Sequence, residues 1–303
     1  MEPNNGALQA LTIASIEEVI QSVLQRDAPQ LDLRAIRFID PYALLLLGLV
    51  IRQRTDRGTP LDIQWPASRA VYEWMEAMRF FADLRNRAFP NLRPRTSKQA
   101  LQPITAIEDE HGIGAIVDGF EERLSDRYTI TAESRIRLVQ IMLELFQNIP
   151  QHANATGEVE WLHGRAAMQD DEDGIFLAIA DDGVGFRGSL SLREELGVQT
   201  DAQALDAIVF QGLSRFGDPG RGGELQRIAR LVRSWDGSFA LRSGRAVAYF
   251  DEFSGDIANV TDFPGVQIGI RLPHRTLGVP PIDDPLQPAV DPDLEPDDSG
   301  EPI

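Results

Sequence analysis

Three stretches of the chain place polar residues and glycines where they interrupt an otherwise ordinary apolar pattern. Glu144, Asn148 and His152 stand four residues apart. On a helix that spacing projects them from nearly one side, so they must face a partner or solvent. A solvated helix face is the commoner outcome for such a pair, and Pro150 removes one helical hydrogen bond between them. The second stretch, Asp181-Asp182-Gly183-Val184-Gly185, follows the strand-like Ile175 to Ala180. Its aspartate can accept a hydrogen bond from an exocyclic amine, and Gly183 and Gly185 permit positive φ and close approach of a ligand. A plain hairpin turn reads equally well. The third, Gly217 to Gly223, includes Gly220, Arg221, Gly222 and Gly223 and opens the helical pattern beginning at Glu224. A glycine-rich loop at a helix N-terminus directs free N–H groups at an anion, which Arg221 would supplement, although such a loop can also be a simple connection.

The elements that must carry these groups follow from periodicity. Apolar residues at helical spacing predict one helix from about Asp109 through Leu124 and a longer one from Glu133 to His152, with Ile136, Leu138, Ile141, Met142, Leu145 and Ile149 on its apolar face. Strands are expected at Gly157–Leu162, Ile175–Ala180, Ser238–Leu241, Ala246–Phe250 and Val266–Leu272, with helices at Asp201–Phe216 and Glu224–Trp235 between them. That order suits helices packed on one face of a mixed sheet. Ahead of it, Leu31–Phe38 and Leu61–Trp65 read as strands flanking a helix after Asp40-Pro41, and Ser68 opens a further helix through Met78. The expected organisation is a small α/β interaction domain over residues 1–89, a proline-bearing linker at 90–103, a second domain at 104–275 and a disordered acidic tail at 276–303.

Composition narrows the function classes. The chain has 303 residues, 43% of them hydrophobic, enough for two modest cores. Its longest apolar run, Tyr42 to Ile51, falls short of the roughly 20 residues of a spanning helix, and Met1-Glu2-Pro3 opens no secretory signal, so a cytoplasmic protein with no membrane partner is expected. No cysteine and four histidines argue against thiolate or zinc sites, leaving any metal to arrive with a ligand. A net charge of −18 opposes nucleic-acid binding. Much of it sits in the tail, a solubilising segment or a docking one.

In this order, the three stretches resemble the N, G1 and G2 boxes of the ATP-binding domain shared by gyrase, heat-shock chaperones, histidine kinases and mismatch-repair proteins (the GHKL superfamily). The likeness covers about residues 104 to 273. It includes a helix at Ala202–Phe216 where the family has its ATP lid, and the closing strand Gly265–Pro273. The resemblance implies a Bergerat fold, a two-layer α/β sandwich with a mixed sheet, that binds ATP and Mg²⁺. By position, Asn148 would ligate Mg²⁺ and Glu144 would orient or deprotonate the nucleophile, with His152 near the phosphates. Asp181 would hold the adenine amine between Gly183 and Gly185, and Gly220, Arg221, Gly222 and Gly223 would wrap the phosphates. Two positions depart from the family pattern: Glu224 replaces the final glycine of the third box, and Val266 stands where many members have a threonine. The first unit is similar to STAS-type anti-anti-sigma domains at Phe38–Leu44 and Trp65–Ser68, with Pro41 at the position of the switch serine.

Within that superfamily, His111 is the sole phosphoacceptor candidate by position, and the glycines after it make a poor helix site. Histidine autokinase activity is therefore not expected. The function expected instead is an ATP-dependent switch on a protein partner, either an ATPase or an anti-sigma-like serine/threonine kinase. The alternative is a nucleotide-sensing adaptor without turnover. The first domain would contact the regulatory partner, and a homodimer is compatible with either reading.

Overall fold

The computed structural model describes residues 8–84, 100–107, 110–153, 164–170, 172, 174–214, 223–250 and 255–278. The N-terminal unit runs β1 (Ala10–Leu11), α1 (Ile16–Ile20) with a π-helical continuation at Gln21–Gln25, β2 (Gln30–Asp32), β3 (Phe38–Ile39), α2 (Pro41–Asp56), β4 (Asp62–Gln64), α3 (Arg69–Ala77) and α4 (Phe80–Asp83). Asp40 starts α2 as its side chain accepts the Ala43 N–H at 2.7 Å, and Pro41 occupies the first helical position, where its missing N–H costs nothing. The expected parallel pair joined by a crossover helix is present: β2 pairs with β4, α2 running between them. A second parallel pair joins β1 to β3.

After residue 100 come β5 (Ala100–Ile107), α5 (Ile113–Arg127), α6 (Ala132–His152), β6 (Gly164–Asp170), β7 (Gly174–Ala180), α7 (Gly185–Leu190), α8 (Asp201–Val209), α9 (Glu224–Ser234), β8 (Ser238–Phe250), β9 (Gly255–Pro273) and the short α10 (His274–Leu277). The strands form one sheet in the order β5-β6-β7-β9-β8. Every pairing in it is antiparallel, so the mixed sheet expected from the sequence is corrected: among the described residues, parallel pairing is confined to the N-terminal unit. Several boundaries also move. Residues 100–103, expected in the linker, begin β5. The expected strand at Gly157–Leu162 lies outside the described residues, while β6 forms further on, at Gly164–Asp170. The two strands expected at 238–250 are one, and α8 ends at Val209 rather than Phe216.

One face of the sheet is covered by α5, α6, α8 and α9. Leu138, Ile141, Met142, Leu145, Phe146 and Ile149 of α6 are buried there at helical spacing, whereas Ile136, expected on that face, is 54% exposed. The opposite face is also covered, by the N-terminal unit. Ala167 of β6 and Phe176, Ala178 and Ala180 of β7 share a core with Leu44, Leu46 and Tyr42 of α2. The helix α2 is buried on nearly all sides from Pro41 to Val50 because it lies between its own unit and the sheet. Charged pairs lock the seam: Asp83 receives Arg52 at 2.8 Å and Arg165 of β6 at 2.7 Å, and Glu17 accepts from Arg242 of β8 and from the Thr261 N–H of β9. The N-terminal unit and the helices α5, α6, α8 and α9 thus lie on opposite faces of the sheet, which forms the middle of three layers. Among the described residues, no helix is long and apolar enough to cross a membrane.

Candidate functional site

A two-lobed cleft opens between α6, the turn after β7 and the start of α9. Its inner lobe has apolar walls from Leu145, Ile149, Ile179, Phe186, Leu225, Val266 and Ile268, with Asp181 and Asn148 as its polar groups. The outer lobe adds Ser189, Ser214, Gly223 and Glu224. Asn148, Phe186 and Leu225 line both, so the lobes are continuous.

Asp181 sits just past β7 and is 4% exposed. Its Oδ1 accepts the N–H groups of Gly183 at 2.8 Å and Val266 at 3.2 Å. No other described residue bonds the carboxylate, which leaves Oδ2 for a donor in the cleft. Burial pushes its pKa up to about 7, against the lowering effect of the two N–H bonds and with the neighbouring Asp182 adding to the rise. The Val266 position, noted in the sequence for lacking a threonine, serves Asp181 through its main chain and the lobe through its side chain.

The turn is braced by groups far away in sequence. Gln267 donates Nε2–H to the Asp181 carbonyl at 3.0 Å, and Ser243 accepts the Phe186 N–H at 2.9 Å. Gly185 has φ +67°, and a Cβ there would meet Ser243 Oγ at 2.7 Å. Gly183 packs directly on the carbonyl of Ala153 at the end of α6, with no room for a side chain. Its glycine therefore docks the turn on the helix instead of facing the inner lobe, while Gly185 lines that lobe. Gly265, which opens the closing strand noted in the sequence, has φ +79° and packs against the Asp181 carbonyl, a role beside the site that the sequence does not show.

Gly223, at φ +78°, is the N-cap of α9, and the start of this helix borders the outer lobe. Gln226 donates to the Phe210 carbonyl at 2.8 Å, tying the helix start to the end of α8. Arg193, whose charge is met by Glu195 at 2.8 Å, donates to the Ser214 carbonyl at 2.9 Å beside the same lobe. The helix α8 was expected to be a lid; it has Ala204, Leu205, Ala207 and Val209 in the core. Gly220, Arg221 and Gly222 lie outside the described residues. His152 closes α6, and its side chain too lies outside what is described.

Glu144 is exposed one turn before Asn148 and lines neither lobe. Its pKa is raised, first by partial loss of water and then by the carboxylate of Glu224, with Arg227 opposing. Glu224 in turn pairs with Arg227 at 3.2 Å. The carboxylate of Glu144 on α6 thus feels the charge of Glu224 on α9, which lines the outer lobe. Among the described residues, no group of three or more His, Asp or Glu is placed to hold a metal. Compared with known proteins, the chain matches no family model and no curated relative.

Proposed function

We propose that the chain is an ATP-binding regulatory protein in which nucleotide occupancy alters a surface offered to a protein partner. Its enzymatic output would be Mg²⁺-dependent hydrolysis, or transfer of the terminal phosphoryl group to a serine or threonine. The observation that carries this reading is the convergence of Asn148, Asp181 and Gly223, from three distant segments, on one cleft with an apolar inner end and the start of α9 at its outer end. The donor set fits a purine nucleotide. The apolar walls suit a ring, Asp181 Oδ2 suits an exocyclic amine, and the N-terminal end of α9 beside Gly223 suits a phosphate. Mg²⁺ would arrive with the phosphates and take the side-chain oxygen of Asn148 as its protein ligand, neutralising charge during transfer. Asn148→Ala tests this directly by equilibrium binding. Wild type should bind ATP more tightly when Mg²⁺ is added and the variant should lose that response; a variant that still responds removes Asn148 from the metal.

The first unit, similar in its strand-turn-helix to an anti-anti-sigma domain, is the proposed partner-binding module. Its seat against β9 gives nucleotide state a route to it, since Val266 of β9 bonds Asp181. A second reading, binding without turnover, is favoured by the exposure of Glu144 and by its absence from the lining of either lobe. Phosphate release on Glu144→Gln separates the two. An ATPase or kinase should keep ATP affinity and lose on the order of 10²-fold or more in rate, whereas a wild type with no turnover to lose leaves the adaptor.

A further inference from the structure

The polar face of α9 carries cations that the described residues leave unmatched. Its apolar side, with Leu225, Ile228, Ala229, Leu231 and Val232, is buried in the main core. Arg227, Arg230 and Arg233 recur three residues apart and so share the other face. Arg227 meets Glu224 at 3.2 Å, whereas Arg230 and Arg233 are exposed and, among the described residues, have no ion pair. The contrast is with Arg69, Arg135, Arg187 and Arg245, equally exposed, each of which meets a carboxylate. In a chain with 47 acidic residues against 29 basic ones, two neighbouring cations without an acid call for a reason. The end of α9 that holds Arg233 is also tied to α10. Arg275 of α10 reaches Asp236 at 3.4 Å, and the Asp236 N–H bonds the Arg233 carbonyl at 2.9 Å.

We infer that the acidic segment at residues 279–303 docks on this arginine face of its own chain. Eight residues of that segment are Asp or Glu and none is Lys, Arg or His. Asp283 and Asp284 come first. Five residues separate Asp283 from Gly278, a reach of up to about 17 Å, against about 16 Å for the whole of α9. The first acids can therefore meet Arg233 and the later ones Arg230. Charge complementarity selects an anionic occupant, and the covalent tether selects this one. Exposed ion pairs are individually weak, but a linked segment stays at an effective concentration on the order of millimolar, so pairs too weak to hold a separate peptide suffice. Such a contact weakens as salt screens it. It stands on charge and connectivity alone and does not depend on a nucleotide in the cleft.

The chain has no cysteine, so Ser299→Cys gives the full-length protein a single attachment point for a nitroxide. With the protein isotope-labelled and at low salt, the amide signals of residues 230–234 should lose intensity relative to the reduced nitroxide, while those of α1 should not. In roughly 1 M salt, where the screening length falls to about 3 Å, the loss should disappear. Arg230→Gln with Arg233→Gln, both at exposed positions, should abolish it at low salt and leave the thermal midpoint unchanged. Asp291→Asn with Asp293→Asn, Asp297→Asn and Asp298→Asn should weaken it from the other side. Full intensity on α9 with both arginines present, or a loss that survives high salt or the arginine substitutions, would overturn the docking. So would a loss seen on mixing the nitroxide chain with an isotope-labelled chain that lacks it, since that contact joins two copies.

Discussion

Asp181 concentrates the chemistry of the cleft in one carboxyl group. Its pKa of about 7 means that near neutrality the empty protein holds it partly protonated, and a bound amine donor favours the ionised form. ATP affinity should therefore rise with pH up to about 7, by as much as tenfold per unit, and level off above; calorimetry across that range checks it, and Asp181→Asn should show no such slope. The same shift acts on stability with the opposite sign. For Asp181 and for Asp40, raised by burial to about 6, the folded state holds the proton more tightly than the unfolded chain. Their stabilising contribution is complete below the ordinary carboxylate range and is lost as pH rises through those values. Thermal melts should show a decline between about pH 4 and pH 7 that is shallower in Asp181→Asn. Asp181, Gly185 and Asn148, singled out in the sequence by residue type and spacing, all line the inner lobe. The roles of Gly265, Ser243 and Gln267 were not legible, because they meet the turn only through pairing of β7 with β9 and β8 with β9, which leaves no mark within either segment.

Among the elements, α6 shows how far periodicity reaches. Its apolar stripe was visible from Leu138 to Ile149, and its start at Thr131, whose hydroxyl accepts the Ser134 N–H, lies within two residues of expectation. By contrast β6 reads Gly-Arg-Ala-Ala-Met-Gln-Asp, with weak strand preference, and forms because its neighbours accept it on both edges and both faces. Arg165 is the costly residue in that strand, tolerated because Asp83 meets it. Asp83→Ala should lower stability by about 3 kcal/mol, since it strands a largely buried guanidinium, and the loss should be visible as a lower denaturation midpoint at unchanged slope. The apolar run in α2 was legible as a helix, but the surface covering it was not: burial all round says that something packs on every side without saying what. Leu46→Ala, at 0% exposure, should cost about 3 kcal/mol by leaving a cavity at the centre of the three layers.

At the scale of the molecule, the N-terminal unit and the five-stranded sheet share one core and two charged clusters, so they should melt together. Differential scanning calorimetry should give a single transition whose calorimetric and van't Hoff enthalpies agree. A chain of residues 100–278 alone would expose Ala167, Phe176, Ala178 and Ala180 and should aggregate. This joining of layers also places a proposed partner-binding unit one strand from the proposed nucleotide cleft, which makes the cleft the claim on which the rest depends. The most direct test is calorimetric titration of the full chain with ATP and Mg²⁺ beside Asp181→Asn. Saturable, Mg²⁺-dependent binding that the substitution abolishes is the result expected; binding absent up to millimolar ATP, or undiminished in the variant, would contradict a nucleotide site at Asp181.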